Sequence, residues 1–341
     1  MSRWHCTATL LTTMSLAAWP SLAQIVVREP ASKGSINIEA HNKEQLAKGF
    51  SFSMRPDLSQ LEGAALEEQL SRLKLKSKSG TPLMSFSVDK AHEMIVGTTV
   101  DKAKVAINLI RNTDKGTELI IGARDADGTF RALSSEQVGV FTLKGSHLGF
   151  SMQRFEHATG HHAYFVILVD RSGSMKSVMA AVRDAARSFM AALPKNARCR
   201  VISFNHAFIH HSSGFDACNP KQHHIDQITA GGGTDIYTPL VAAYDELRPA
   251  SDSLRAVLVI TDGVGSSRLT KAQVLSRKSA PTHVYWLGDY RDGGERHLAG
   301  IADTFILGEQ NLKAMLQNYF KQMSEQLKHQ YVITIPKKPS N

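Results

Sequence analysis

Residues 163–169, Ala-Tyr-Phe-Val-Ile-Leu-Val, form an unbroken apolar run that stops at Asp170. A strand with one wet face alternates apolar and polar residues; an unbroken run suits a strand covered on both faces, as in a parallel sheet. Parallel neighbours need a long crossover, usually a helix, so the run predicts alternating strands and helices after it. The sequence supplies them. Residues 175–193 have helical spacing, with Val178, Val182, Ala185, Phe189 and Leu193 on one side and Pro194 as the stop. Strands are predicted at 199–204, 256–260, 283–287 and 305–307, and helices at 238–247, 269–277 and 312–327. A hairpin partner for the second strand is expected at 208–212. The fold expected over 162–330 is a doubly wound, mostly parallel α/β sheet. Phe189 and Phe320 lie on helical faces and read as core.

Residues 24–158 read differently. Period-two alternation recurs at 35–39, 50–54, 84–88, 105–110, 117–121, 138–143 and 148–155, with Asp/Gly turns at 112–116 and 125–128. That is the pattern of an antiparallel β sandwich. Residues 61–73 begin with helical spacing, whereas 72–79 alternate like a strand. Alternation returns in the tail, 331–341, which is expected to add a strand to the N-terminal sheet and tie the two domains together.

The first 23 residues stand apart. Arg3 is their only charged side chain, an apolar stretch follows, and Pro20 precedes the small-residue end Ser21-Leu22-Ala23. This is the form of a secretory signal, with cleavage expected near Ala23–Gln24. The stretch is too short to span a hydrocarbon core of ~30 Å as a helix. No later segment is apolar enough to span, so an exported chain without a membrane anchor is expected, periplasmic or extracellular. Of 341 residues, 42% are hydrophobic, enough for a sizeable core. In an oxidising compartment Cys199 and Cys218, the thiols left after the leader, are expected to pair. The formal charge of +9 favours acidic partners. Lys and Arg are scattered apart from Arg72, Lys74, Lys76 and Lys78, which gives no case for nucleic acid.

Three short segments carry chemistry. Asp170-Arg171-Ser172-Gly173-Ser174 follows the first buried strand, Gly231-Gly232-Gly233-Thr234-Asp235 precedes a helix, and Thr261-Asp262-Gly263 follows the strand at 256–260. In an open α/β sheet all three fall on the crevice side. Asp170 and Asp262 face each other there if the hairpin strand sits at the sheet edge. Two carboxylates and three hydroxyls offer only oxygen ligands, which suits Mg²⁺, Mn²⁺ or Ca²⁺ rather than zinc. A Ser or Asp after a strand also caps the next helix. Capping accounts for neither the second carboxylate nor the glycine-flanked threonine.

Asp170-x-Ser172-x-Ser174, then Thr234, then Asp262 resembles the metal-ion-dependent adhesion site of von Willebrand factor A domains, over about residues 162–330. The resemblance implies that Ser172, Ser174 and Thr234 bind the metal directly and that Asp170 and Asp262 act through water. It also implies that a protein partner's Asp or Glu completes the coordination. The N-terminal β region and the Gln330-Tyr331 strand resemble a bacterial secreted subgroup with an Ig-like sandwich before the A domain. Residues 24–97 carry no such resemblance.

Other chemistries are weaker. A strand-end Asp beside Mg²⁺ is a possible phosphatase nucleophile. The haloacid-dehalogenase pattern needs a second Asp two residues on, where Ser172 stands, and Gly-x-Ser-x-Gly is absent around Ser172 and Ser174. A scaffold with a non-adhesive metal site is the other alternative. The pairs His161-His162, His210-His211 and His223-His224 are poor chelators, since strand neighbours point to opposite faces. Tyr237 and Tyr290 lie near the crevice loops.

Overall fold

The computed structural model describes residues 37–54, 73–288, 293–308 and 312–337. The expected signal segment, residues 24–36, most of 61–73 and Tyr290 lie outside the described residues.

In chain order the described elements begin with helix α1 (Ile38–Lys48), then strands β1 (Ser85–Asp89), β2 (Met94–Thr98), β3 (Lys104–Thr113), β4 (Gly116–Arg124), β5 (Val138–Thr142) and β6 (Ser151–Arg154). The α/β part runs β7 (Ala163–Asp170), α2 (Met179–Ala192), β8 (Ala197–Phe204), β9 (Phe208–His210), β10 (Asp216–Ala217) and α3 (Tyr237–Leu247). It continues through β11 (Leu254–Thr261), α4 (Lys271–Arg277), β12 (Thr282–Trp286), α5 (Gly294–Leu298), β13 (Thr304–Leu307) and α6 (Leu312–Lys328), and ends in β14 (Gln330–Pro336). Among the described residues no helix is long and apolar enough to cross a membrane.

The large sheet has the order β10-β8-β7-β11-β12-β13, with β9 also on the outer edge of β8. β7, β8, β11, β12 and β13 are parallel, and β9 and β10 run antiparallel to β8. The apolar run at 163–169 is buried because both its faces are covered. Phe165, Ile167 and Val169 pack with Val182, Phe189 and Phe320; Val166 and Leu168 pack with Leu240, Tyr244 and Val274. The hairpin strand lies at the edge, so β7 and β11 are immediate neighbours. Strand order therefore reverses between β7 and β11, where a crevice opens.

The N-terminal strands form two antiparallel sheets, β1-β2-β5 and β3-β4-β14-β6. They share a core: Val96, Val138 and Val140 from one, Leu119, Ile121, Tyr331 and Ile333 from the other. β2 has no period-two pattern, because both its faces are covered: Ile95 packs with Leu75, Leu83, Val88 and Phe141, and Val96 with the core shared by the two sheets. The tail strand β14 sits inside its sheet, hydrogen-bonded to β4 on one side and β6 on the other. The buried Tyr331 hydroxyl also accepts from Leu133 N at 2.9 Å.

Residues 37–54 depart from the β reading. Asn37 caps a helix, its side chain accepting from Ala40 N at 3.0 Å, and the described part of the strand expected at 35–39 belongs to α1. An Asn N-cap can outweigh two or three alternating residues that find no partner strand. α1 lies along β13 and satisfies that edge with side chains. Asn42 donates to Leu307 O (2.9 Å) and accepts from Leu307 N (2.9 Å), while His41 Nε2 lies 2.8 Å from Phe305 O. An edge strand covered this way offers fewer free backbone groups for pairing with another chain. Residues 50–54 join no sheet, and burial does not alternate along them, since Phe52 and Ser53 are both buried. Phe50 and Phe52 enter the α/β core, Gln326 clamps Phe50 N at 2.8 Å, and Arg255 N donates to Phe52 O at 2.8 Å. Of the strand expected at 72–79, the described residues 73–79 show the isolated bridge Lys76↔Pro82 and no longer ladder.

Candidate functional site

Asp170 ends β7 and is fully buried. The β7/β11 register pairs Val169 with Ile260, so one step further Thr261 stands level with Asp170. The Thr261 hydroxyl is 2.6 Å from Asp170 Oδ2 and 2.7 Å from Gly263 O. It has one proton to give, and the carboxylate is the stronger acceptor. Asp170 Oδ1 accepts from Ser172 N at 2.7 Å, which turns the chain back over the strand end. A 3-10 turn, Gly173–Ser177, then leads into α2, so the helix expected at 175–193 starts later, at Met179.

That turn presents two hydroxyls to the neighbouring strand. Ser172 Oγ is 3.1 Å from Ser174 Oγ, and Ser174 Oγ donates to Asp262 Oδ1 at 2.9 Å. Asp170, Ser172, Ser174 and Asp262 thus meet at the junction of β7 and β11. Thr234 arrives from the glycine loop. Gly173 N donates to Gly232 O at 2.9 Å, and Gly231 N to Arg171 O at 2.7 Å. The Thr234 backbone packs on Gly265, where an added Cβ would lie 2.0 Å from Thr234 O with φ at +54°, so glycine is required there. Thr234 side chain makes no hydrogen bond to the other four among the described residues.

Two further residues hold this arrangement and went unremarked as site residues in the sequence. Thr261 was legible only as the neighbour of Asp262. Asn205, buried just past β8, donates through Nδ2 to Gly231 O (2.6 Å) and accepts at Oδ1 from Arg171 Nη2 (3.1 Å) and Ala207 N (3.1 Å). Its carbonyl accepts from Asp235 N at 2.6 Å. An Asn after a strand has no distinguishing pattern, so nothing in the sequence marked it. Asp235 itself is occupied with α3, accepting from Thr238 Oγ1 at 2.7 Å.

The electrostatics favour a cation. Burial pushes the Asp170 carboxyl above its ordinary value, the hydrogen bonds from Thr261 and Ser172 pull it back, and the charge of Asp262 adds to the rise. Among the described residues neither Asp170 nor Asp262 has an ion-pair partner. Two converging carboxylates without a counter-charge, lined by hydroxyls, match the ligand chemistry of a hard divalent ion. Among the described residues no cluster of three or more His, Cys, Asp or Glu is placed to hold an ion, and the candidate site has two carboxylates with hydroxyls.

The histidine pairs are engaged separately. His161 lies between Arg111 and Glu118, His162 on Asn196 O, His210 on Glu246, His211 on Ser203 and His223 on Ala217 O. Tyr237 donates its hydroxyl to His297 O at 3.1 Å. Cys199 and Cys218 are joined in a disulfide, which pins β10 and the chain leading to the glycine loop against β8.

A family model described as von Willebrand factor type A domain matches residues 165–264. Solved structures similar to this chain include a von Willebrand factor type A protein from Catenulispora acidiphila (14% identity, 66% of this chain and 49% of that one, TM-score 0.43). Another is an aerotolerance-related membrane protein from Bacteroides fragilis (16% identity, 48% of this chain and 99% of that one, TM-score 0.39). A third is proximal thread matrix protein 1 from the mussel byssus, with a zinc-occupied MIDAS motif (16% identity, 55% and 50%, TM-score 0.41). The chain spans about half the length of the Catenulispora structure it matches. No curated protein matches it.

Proposed function

We propose that this von Willebrand factor type A domain protein is an exported, non-catalytic binding module that captures an acidic residue of a partner protein through a divalent ion. Asp170, Ser172, Ser174, Thr234 and Asp262 hold the ion, Mg²⁺ in the first place, with Mn²⁺ or Ca²⁺ as alternatives. The ion supplies an attraction for an outside carboxylate. The chain supplies the rest: Thr261 and Ser172 N orient Asp170, Ser174 links Ser172 to Asp262, and Asn205 fixes the loop that carries Thr234.

The observation that carries this reading is the hydroxyl path from Ser172 through Ser174 to Asp262, beside a buried Asp170 that has no cationic partner among the described residues. Export, to the periplasm or beyond, is supported by the Cys199–Cys218 bridge, which persists in oxidising compartments. The two antiparallel sheets with one core fit an Ig-like sandwich ahead of the A domain. Enzyme activity has less support, since no second carboxylate follows Asp170 in its own turn.

Calorimetric titration with Mg²⁺ tests the site, followed by capture of envelope proteins in Mg²⁺ and in chelator. Wild type is expected to bind Mg²⁺ and to capture a partner only in its presence. Asp262→Ala is expected to lose both. Capture by Asp262→Ala in chelator equal to wild type in Mg²⁺ would leave the domain a scaffold, and phosphate release abolished by the same variant would make it an enzyme.

A further inference from the structure

A cavity of about 450 Å³ lies where three stretches of the chain meet: the residues that follow α1, strands β3 and β4, and the junction of α6 with β14. None of the five expected ion ligands lines it. Its volume falls in the range of about 300–1,000 Å³ typical of ligand pockets. Amides that close on one another fix one wall. Gln326 clamps Phe50 through both its amide nitrogen and its amide oxygen. Gln330, only 2% exposed, donates to Gln326 O at 3.1 Å and accepts from Asn108 Nδ2.

Two polar groups of the wall are left over. Ser53 is 8% exposed, and its hydroxyl has no hydrogen-bond partner among the described residues. Asn108 commits its amide nitrogen to Gln330 and leaves Oδ1 without a partner among the described residues. A buried polar group without a partner needs an explanation. Water would satisfy these two groups, but it does not account for the charge beside them. Arg124 lays its guanidinium over Gly49, where φ is +70° and an added Cβ would collide with it. Lys48 stands next in the chain, tied only by an exposed pair with Glu44, which is a weak restraint. Among the described residues the one acid in the wall is Asp303, already held by Lys278 at 2.8 Å and by Thr282 N at 2.7 Å. The wall therefore carries excess positive charge. The apolar part of the lining includes Phe130, stacked on His329 with ring centroids 5.8 Å apart, and Met54, which is 42% exposed.

We propose that this cavity is a second binding site, for a carboxylate carried on a compact apolar body, either a small acid or the C-terminal residue of a peptide. Arg124 and Lys48 receive the carboxylate, the guanidinium as a planar fork that matches its two oxygens. Ser53 and Asn108 supply the neutral hydrogen bonds, and Phe130 and Met54 cover the apolar body. The site does not use the ion and stands independently of the metal-dependent reading.

The test uses the isotope-labelled full chain and three probes followed by amide NMR titration: 3-phenylpropionate, its neutral amide, and a Gly/Ser peptide ending in phenylalanine with a free carboxyl terminus. The acid is expected to shift the amides of Ser53, Asn108 and Arg124 and to leave Gly231–Gly233 in place, equally in Mg²⁺ and in chelator. The neutral amide is expected to bind about tenfold more weakly, the scale of one charge-assisted contact. Whichever of acid and peptide binds more tightly identifies the source of the carboxylate. Ser53→Ala should leave the melting temperature unchanged, because its hydroxyl has no partner to lose, and should weaken the acid about fivefold, the scale of one hydrogen bond. Arg124→Gln should bring the acid down to the affinity of the neutral amide. Equal affinity for acid and amide, an acid affinity unchanged in Ser53→Ala, or no saturable shift at Ser53 or Asn108 with any probe up to about 10 mM overturns the proposal. Each of those results leaves the Mg²⁺-dependent reading standing.

Discussion

The Thr261 hydroxyl lies 2.6 Å from Asp170 Oδ2, across two adjacent parallel strands that leave their sheet in opposite crossovers. This contact fixes the rotamer of a buried carboxylate before any ligand arrives. Thr261→Val keeps the shape and removes the donor. It should lower stability by about 1–3 kcal/mol, the penalty of a buried acceptor left unsatisfied, read as a shift in urea midpoint at constant slope. An unchanged midpoint would mean that Asp170 finds another donor.

Asp170→Asn should separate folding from metal binding. The buried carboxyl is disfavoured as an anion by desolvation and by Asp262. An amide removes that cost, and Thr261 is still able to accept from the amide and donate to Gly263 O at 2.7 Å. In chelator the variant should melt at or above the wild-type temperature. In Mg²⁺ wild type should rise by the binding linkage and the variant should not. A Mg²⁺-dependent rise in both would remove Asp170 from the site. Thr234→Ala is expected to keep the fold and weaken Mg²⁺, because it deletes one loop hydroxyl.

The Cys199–Cys218 bridge closes a separation of 19 residues, worth about 3 kcal/mol by loop-closure entropy. It spans the hairpin between β8 and β10, upstream of Thr234. Reduction, or the double change to Ala, should lower the melting temperature and weaken Mg²⁺ together. Loss of stability with unchanged Mg²⁺ affinity would confine the bridge to the fold.

The domains as drawn by sequence, 24–158 and 162–330, should not fold independently. Phe52 packs edge-on to Phe165 at 6.1 Å inside the α/β core, and β14 lies between β4 and β6. Phe52→Ala should cost about 3–5 kcal/mol, and deletion of 331–341 should open the β3–β4 sheet to protease. Protease resistance equal to wild type after that deletion would show that β14 is dispensable.

Stability should fall as pH drops below the ordinary histidine value of about 6.5. His283 is buried, donating from Nε2 to Ser51 O at 2.8 Å and paired at Nδ1 with Thr304 Oγ1 at 3.1 Å. Burial holds its pKa down, against Asp303 and the Ser51 carbonyl; burial does the same for His211 and His223. A depressed folded pKa means that the unfolded chain binds more protons below that value, so the stability present above it is lost as pH falls through the folded pKa. Melting scans across this range should show the decline, with a shallower slope in His283→Gln. A flat profile in wild type would show that His283 takes up its proton as readily in the folded protein as in the unfolded chain.

The α/β half was legible because its signals are local and redundant. The apolar run at 163–169, the spacing of Val182, Ala185 and Phe189, and the oxygen-bearing turns at 170–174, 231–235 and 261–263 each follow from neighbours in sequence. So does the chemistry of the five expected site residues. What tertiary structure alone decided is pairing. That Asp170 meets Thr261, that Asn205 ties β8 to the glycine loop, and that β14 enters the interior of a sheet begun more than 200 residues earlier are matters of which strands adjoin. Residues 37–54 show the limit most clearly. Their alternation is real, but with no strand to complete a ladder it became a capped helix on β13 and two phenylalanines in another domain's core. Period-two patterning states which residues prefer burial; only the packed chain determines what they are buried against.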